Sequence, residues 1–291
     1  NAAIDKGIGQ LGTLGGGNHF IEIQCVREIL DPVLAQSFGL FQNQIVVMIH
    51  SGSRRFGYEV ADHYMTVAAK RPDMADRRKM LSYLPADSKE GKSYIAAMAA
   101  AANFAFVNRH IMAMLVRRCF NRMFGQTPLN LIYDVPHNMA KLEKYQAGYL
   151  WVHRKGATRA FGPKLMAGTI FEKTGQPIIT PGSMGTSSYL LVGTGNAEES
   201  LYSVNHGAGR VMSRTAAAGK GRYGRTSPAR ISDEQFKKSM QGIKLIAEDK
   251  HRIKEEAPGA YKDIDEVVRI VTRCGWAKPV ARMVPLAVLK G

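Results

Sequence analysis

Five short segments gather five of the eight histidines of this chain and many of its glycines, and most border an apolar run with strand character. The first spans 12–22, with Gly15, Gly16 and Gly17 ahead of Asn18, His19, Phe20, Ile21 and Glu22. The next three are 49–54 around His50, 134–138 around His137, and 153–159 from His153. The fifth is a pair of loops, 181–188 and 205–210, the second carrying His206. Glycine lets a backbone turn sharply and approach a ligand closely, so the strands of this chain should end in tight polar turns. The leading glycines precede a strand rather than a helix and lack a following Gly-Lys-Ser/Thr. A dinucleotide fingerprint and a Walker loop are both weak readings for that reason.

Runs 20–26, 45–50, 129–135, 149–153 and 280–289 read as strands, with shorter ones at 177–180 and 189–192. Runs 57–70, 93–124, 233–247 and 264–274 read as helices, Gly125 stops the longest, and another helix starts near Arg210. The order has no βαβ rhythm, which predicts an α+β fold with mixed sheets surrounded by helices. No linker or repeat divides the chain, so residues 1–291 are expected to form one domain. The basic stretch 218–230 reads as a loop. The most apolar run, 95–107, gives way to Asn108, Arg109 and His110, so no membrane span is expected. Cys25, Cys119 and Cys274 form no CxxC pair, and no signal peptide opens the chain, which suits a cytoplasmic setting.

The formal net charge is +16, which favours a polyanionic partner such as nucleic acid. An apolar fraction of 45% excludes wholesale disorder. Ser51, Gly52, Ser53 and Arg54 offer hydroxyls, backbone N–H groups and a guanidinium to an oxyanion, a plain Ser-Gly turn being the competitor. Arg154, Lys155 and Arg159 suit a phosphate contact as well as a solvated turn. The two Gly/Ser loops suit phosphates, and His206 stands between Asn205 and Gly207. Imidazole serves as ligand, base or nucleophile. With carboxylate or thiolate it suits manganese or zinc, and spacing alone leaves the metal open.

The segments 12–22, 50–54, 134–138, 153–161, 181–189 and 206–214 resemble, in order and from end to end, the RtcB family of RNA-splicing ligases. The closing Lys290 and Gly291 resemble that family's terminus. The resemblance implies a domain built around a central metal and nucleotide cleft. It implies a GTP- and manganese-dependent RNA ligase (a 3′-phosphate/5′-hydroxy nucleic acid ligase) acting in tRNA splicing or RNA repair. Ends bearing a 2′,3′-cyclic phosphate or 3′-phosphate are joined to 5′-hydroxyl ends through a histidine–GMP intermediate. His206 takes the place of that catalytic nucleophile, and His19, His50 and His137 resemble the histidine ligands of two Mn2+ ions. Asn18, His19, Phe20, Ile21, Glu22, His137, Asn138, Pro181, Gly182, Ser183, Met184, Ser188, His206, Gly207, Ala208 and Gly209 resemble nucleotide contacts. Tyr261 and Lys290 resemble the guanine-holding residues, and Arg54, Lys155, Arg210 and Arg214 fall where RNA phosphates would bind. Implied partners are RNA, GTP and, for some members, the activator archease.

The family also places an Asp and a metal-bridging Cys upstream of the Gly-Asn-His segment. Asp5 precedes His19 without a partner Cys, and Cys25 follows it. The chain therefore reads as a member without the family's N-terminal segment, and three histidines without a thiolate should hold two ions poorly. The competing class is a non-ligating RNA- or nucleotide-binding remnant. A metal-dependent phosphoesterase that opens cyclic phosphates is weaker. Pro136 and Asn205 are smaller departures, both expected to be tolerated.

Overall fold

In chain order the secondary structure is α1 (Ala2–Ile8), β1 (Phe20–Ile29), α2 (Pro32–Ser37), β2 (Ile45–His50), α3 (Arg54–Ala69), α4 (Lys89–Phe124), β3 (Asn138–Tyr145), β4 (Gly148–Lys155) and β5 (Ala157–Arg159). There follow β6 (Pro177–Thr180), β7 (Ser188–Gly193), β8 (Ser203–Asn205), α5 (Arg214–Ala218), α6 (Asp233–Ser239), β9 (Lys244–Ala247), α7 (Ile264–Arg273) and β10 (Ala277–Lys290). This computed structural model describes residues 2–71, 82–219, 228–248 and 253–291. Most of the basic stretch 218–230, expected as a loop, lies outside the described residues. The expected mixture of sheet and helix is what the chain adopts. It comprises two compact units, Asn1–Gly15 with Ile49–Leu129, and Gly16–Met48 with Asn130–Gly291.

The first unit is helical. Helix α4 starts where the Ser88 side chain accepts from the Gly91 N–H at 2.9 Å, and it ends at Gly125, whose φ is +76°. Glycine is required at 91 because a Cβ there would collide with the Pro85 carbonyl. Helix α3 begins at Arg54, three residues earlier than its apolar pattern suggests. By length and the composition of one 18-residue window, α4 would pass as a membrane span. Its Asn108, however, is fully buried and hydrogen-bonded within this unit. The amide accepts from Gly12 N at 2.7 Å and Thr13 N at 3.1 Å, and donates to Ser51 Oγ and the Gly52 carbonyl, both at 3.1 Å.

The second unit is built on a sheet of order β2-β1-β10-β7-β6, with β9 also pairing β10. Strands β1, β10, β7 and β6 are antiparallel neighbours, and β9 runs parallel to β10. Side chains alternate across a strand, and β7 uses both faces. Tyr189 and Leu191 join Ile178, Ile264 and Val268 on the α7 side. Leu190 and Val192 join Val26, Ala35, Val280 and Met283 on the α2 side. Two small ribbons, β3-β4 and β5-β8, stand apart from this sheet.

Three expectations about elements are corrected. Residues 129–135 form no strand, although Ile132 still packs into the α2-side core. The run 233–247 divides: a capping box of Ser232 and Gln235 opens α6, Gly242 turns the chain at φ +81°, and β9 then pairs with Ala287 to Lys290. The helix expected near Arg210 begins at Arg214.

Candidate active site

His206 follows β8, whose pairing with β5 sets Asn205 opposite Ala157. Its backbone N–H donates to the Gly156 carbonyl at 3.4 Å. The Gly156 N–H reaches the His137 carbonyl and Asn138 Oδ1, both at 3.1 Å. The turn between β4 and β5 thus joins two distant histidine segments. Their rings stack with centroids 4.4 Å apart and planes inclined by 10°. Gly156 has φ +66°, and a Cβ there would sit 3.4 Å from His206 Cε1. Glycine at 156 therefore serves both the turn and the ring beside it. Burial pushes the His206 imidazole below its ordinary pKa, a backbone hydrogen bond with Gly156 opposes this, and the Lys155 charge reinforces it. The ring is consequently held toward its neutral form, the form in which imidazole can serve as a ligand, a base or a nucleophile.

The loop after His206 lies against the 181–188 loop. Ala208 N–H donates to the Pro181 carbonyl at 3.0 Å, and a Cβ on Gly207 would lie 3.1 Å from that oxygen. Gly182 has no room for a Cβ against Ser187 and Thr186. Ser183 N–H donates to Thr186 Oγ1 at 2.7 Å. Met184 and Phe20 share an apolar cluster with Met240 and Val288, so both act here through packing.

A second group of site residues surrounds Glu256, which the sequence reading did not single out. Arg214 Nε donates to Glu256 Oε1 at 2.6 Å and Arg210 Nη1 to Oε2 at 3.1 Å, while the Tyr261 hydroxyl donates to Oε2 in a very short bond. Arg210 also reaches the Glu255 carbonyl at 2.6 Å and stacks over the Tyr261 ring at 5.0 Å. Burial raises the Glu256 carboxyl, but the Tyr261 and Arg214 hydrogen bonds and two guanidinium charges outweigh it and hold the carboxyl below its ordinary range. Two of the four cations expected at RNA phosphates are thus engaged by a protein carboxylate. No motif marked Glu256, because a Glu-Glu pair in a charged turn looks like solvated surface.

Strand pairing brings the start of β1 beside the end of β10. Glu22 faces Val288 across β1 and β10, and Lys290 Nζ donates to the Gly17 carbonyl at 2.7 Å. Glu22 is buried, and Gln24 Nε2 donates to it at 2.6 Å and to Ser188 Oγ at 3.0 Å. Burial pushes Glu22 up to about 8, against the Gln24 bond and the Lys290 charge. Burial likewise lowers Lys290 to about 8, against the Glu256 and Glu22 charges. Asn18 is exposed just before His19, and Ile21 pairs with Leu289. A Cβ on Gly17 would lie 3.7 Å from Arg214 Nη2, so the glycine segment reaches the Glu256 group.

His50 and Arg54 belong to the first unit. There Ser51 Oγ donates to the Leu14 carbonyl at 2.8 Å, and Arg54 Nε to Thr13 Oγ1 at 3.0 Å. Burial lowers the Arg54 pKa. Among the described residues, no group of three or more His, Cys, Asp or Glu side chains is gathered to hold a metal ion.

A protein-family model described as tRNA-splicing ligase RtcB matches residues 1–291. The tRNA-splicing ligase RtcB of Nanoarchaeum equitans is 45% identical, over 100% of this chain and 62% of that protein. That of Pyrococcus horikoshii is 43% identical over 99% of this chain and 34% of its own length. The RNA-splicing ligase RtcB of Mycobacterium bovis is 43% identical over 99% of this chain and 66% of its own. The chain thus spans from about a third to just under two thirds of the length of these relatives. The match of the family model over residues 1–291, with relatives at 43–45% identity, places this chain in the RtcB family.

Proposed function

We propose that this chain carries the guanylyl-transfer centre of an RNA ligase that joins 3′-phosphate or 2′,3′-cyclic phosphate ends to 5′-hydroxyl ends. The observation that carries the reading is His206, a neutral imidazole stacked on His137 between two backbone-rich loops. In this reading a ring nitrogen of His206 attacks the α-phosphorus of GTP. The nitrogen–phosphorus bond forms, the bond to the β-phosphate oxygen breaks, and pyrophosphate leaves. Water first opens a 2′,3′-cyclic phosphate end, breaking the bond to the 2′ oxygen, which takes the proton. An oxygen of the resulting RNA 3′-phosphate then attacks the phosphorus of the GMP, and the nitrogen–phosphorus bond breaks to free the imidazole. The 5′-hydroxyl oxygen attacks the activated 3′-phosphate, gives up its proton, and GMP leaves.

The protein groups have separable work in this scheme. Burial, reinforced by the Lys155 charge, favours the neutral imidazole, and Lys155 meets phosphate charge. The loops around Pro181 and Gly207 present backbone N–H groups to the nucleotide. Glu22 and Lys290 offer a buried acceptor and donor to the guanine edge. Manganese belongs to the reading, with His19 and His137 of the second unit among its implied nitrogen donors, and RNA and GTP are the partners. Archease is a further proposed partner.

The test is labelling of this chain with α-labelled GTP and manganese, followed by a denaturing gel. A phosphoramidate survives alkali and breaks in acid, so an alkali-stable, acid-labile band is expected in the wild type and lost in His206→Ala. An unlabelled wild type, or an equally labelled variant, overturns the reading. Calorimetry checks the metal: His137→Ala should bind manganese more weakly than the wild type.

A further inference from the structure

The hairpin β3-β4 holds a buried ion pair that the guanylyl-transfer scheme does not use. Glu143 and Arg154 are each about nineteen-twentieths buried as side chains. Arg154 Nη1 and Nη2 donate to the two Glu143 carboxylate oxygens, both at 2.8 Å, in a parallel fork. Burial alone would raise the Glu143 carboxyl, but its bonds from Arg154 and Tyr145 and the charges of Arg154 and Arg159 keep it below its ordinary range. The rest of the guanidinium leaves the hairpin. Nε donates to Ser203 Oγ at 2.9 Å, and Nη2 also reaches the Leu201 carbonyl at 2.9 Å. The Tyr145 hydroxyl, which donates to Glu143 Oε2 at 2.8 Å, lies 3.0 Å from the same Leu201 oxygen.

The backbone held in this way is unusual. Leu201 has φ +51° and Tyr202 φ +47°, two successive non-glycine residues in the left-handed region. Side chains with a Cβ rarely stay there without help. The strand that follows, β8, is only three residues long and leads directly to His206. Three ladder pairs alone give weak register to such a strand. The same hairpin ends at Asn138 and Lys155, opposite each other, next to His137 and Gly156. One hairpin thus contacts the backbone on both sides of the stacked imidazoles.

We propose that Arg154 is a positioning residue: locked by Glu143, it clamps the strained turn at Leu201 and Tyr202, fixing the register of β8 and the seating of His206 against His137. The catalytic part of this inference rests on His206 being the guanylylated residue. The positional part does not.

The experiment compares wild type, Arg154→Lys, Tyr145→Phe and Arg154→Lys/Leu201→Gly, each with carbon-13 histidine and nitrogen-15 tryptophan labels. Lysine keeps the charge beside Glu143 but cannot form the fork. The stacked His137 ring should shift the His206 Hε1 signal upfield in the wild type, identified by its absence in His206→Gln. Arg154→Lys should move that signal back toward free imidazole, while the Trp276 indole signal stays in place as a report on the sheet core. At saturating GTP, its single-turnover guanylylation rate should fall about tenfold to a hundredfold, with GTP affinity within about twofold. Leu201→Gly should restore part of both losses, because glycine takes positive φ without the clamp.

If Arg154→Lys merely melts earlier, with the His206 signal and the rate constant unchanged, the ion pair is only structural and the proposal fails. If it loses the Trp276 signal, Tyr145→Phe decides. That variant removes the Tyr145 hydroxyl from both Leu201 and Glu143 and leaves the Arg154–Glu143 fork, so a smaller His206 shift supports the proposal and no shift overturns it. An unlabelled wild type that still shows the stacked His206 signal, lost in Arg154→Lys, would sink the ligase reading while the positioning role stands.

Discussion

Glu22 and Lys290 each titrate near 8, from opposite directions, and their consequences for stability differ in sign. Glu22 holds its proton in the fold up to about 8, whereas an ordinary glutamate loses it near 4.5. Between those values the folded chain binds more protons than the unfolded one, so stability falls as pH rises. Lys290 loses its proton near 8 in the fold and near 10.5 when unfolded, so stability rises across that upper window. Carboxylates held below their ordinary range, such as Glu256, pull in the other sense, and a variant isolates the effect. Glu22→Gln should flatten the fall of the melting midpoint between pH 4.5 and 8 relative to wild type. Parallel melting curves across that window would show that Glu22 ionises normally in the fold. Gly156 makes a second residue-scale case. Gly156→Ala should cost about 1–2 kcal/mol in urea denaturation from its left-handed backbone alone. Its methyl would also crowd His206 Cε1, so adduct formation should slow beyond what the stability loss explains. An adduct rate equal to wild type would mean that the ring moves aside freely.

Helices and strands with a repeating apolar pattern were legible in the sequence, and those made by their partners were not. β2, β6 and α7 announce themselves by β-branched runs or an amphipathic period, and each lies close to where the pattern sets it. β3 carries Lys141, Glu143 and Lys144, a composition that suits a solvated helix, and it becomes a strand because β4 pairs with it. Likewise β9 looks like the tail of α6 until β10 supplies a parallel ladder. The site divides the same way. His206 and the glycine loops stood out because histidines set among glycine, serine and asparagine recur in several segments, although each such turn taken singly also has a plain structural reading. Glu256 and Arg154 were not separated from surface charge, since burial is a property of the assembled fold. Asn108 in α4 is the same kind of residue. Asn108→Leu should destabilise the helical unit by about 3 kcal/mol, because it leaves buried backbone groups of the 12–13 loop and Ser51 region unsatisfied. Hydrogen exchange at Gly12 and Thr13 should quicken in that variant. Unchanged exchange there would show that the loop is held by other contacts.

A net charge of +16 would act on a polyanion such as the proposed RNA through the whole surface, but individual cations differ in how they are engaged within the protein. Binding that releases counterions weakens with salt, and each phosphate contact to a single strand contributes about 0.7 to the log–log slope. Lys155 is exposed beside the imidazoles, whereas Arg210 spends its guanidinium on Glu256, the Glu255 and Met212 carbonyls and the Tyr261 hydroxyl. A phosphate would have to compete with a buried carboxylate for Arg210, and removing that guanidinium would leave Glu256 with fewer partners in a buried place. Lys155→Ala should therefore lower the salt slope of RNA binding by about 0.7 with little change in melting temperature. Arg210→Ala should do the reverse, lowering the melting temperature while the slope stays near that of the wild type. The measurement is RNA affinity by fluorescence anisotropy across a salt series, paired with thermal melts of each variant. An unchanged slope for Lys155→Ala would remove it from the RNA path. A reduced slope for Arg210→Ala would mean that Glu256 releases its arginine when RNA arrives, making that carboxylate a stand-in for phosphate in the RNA-free chain.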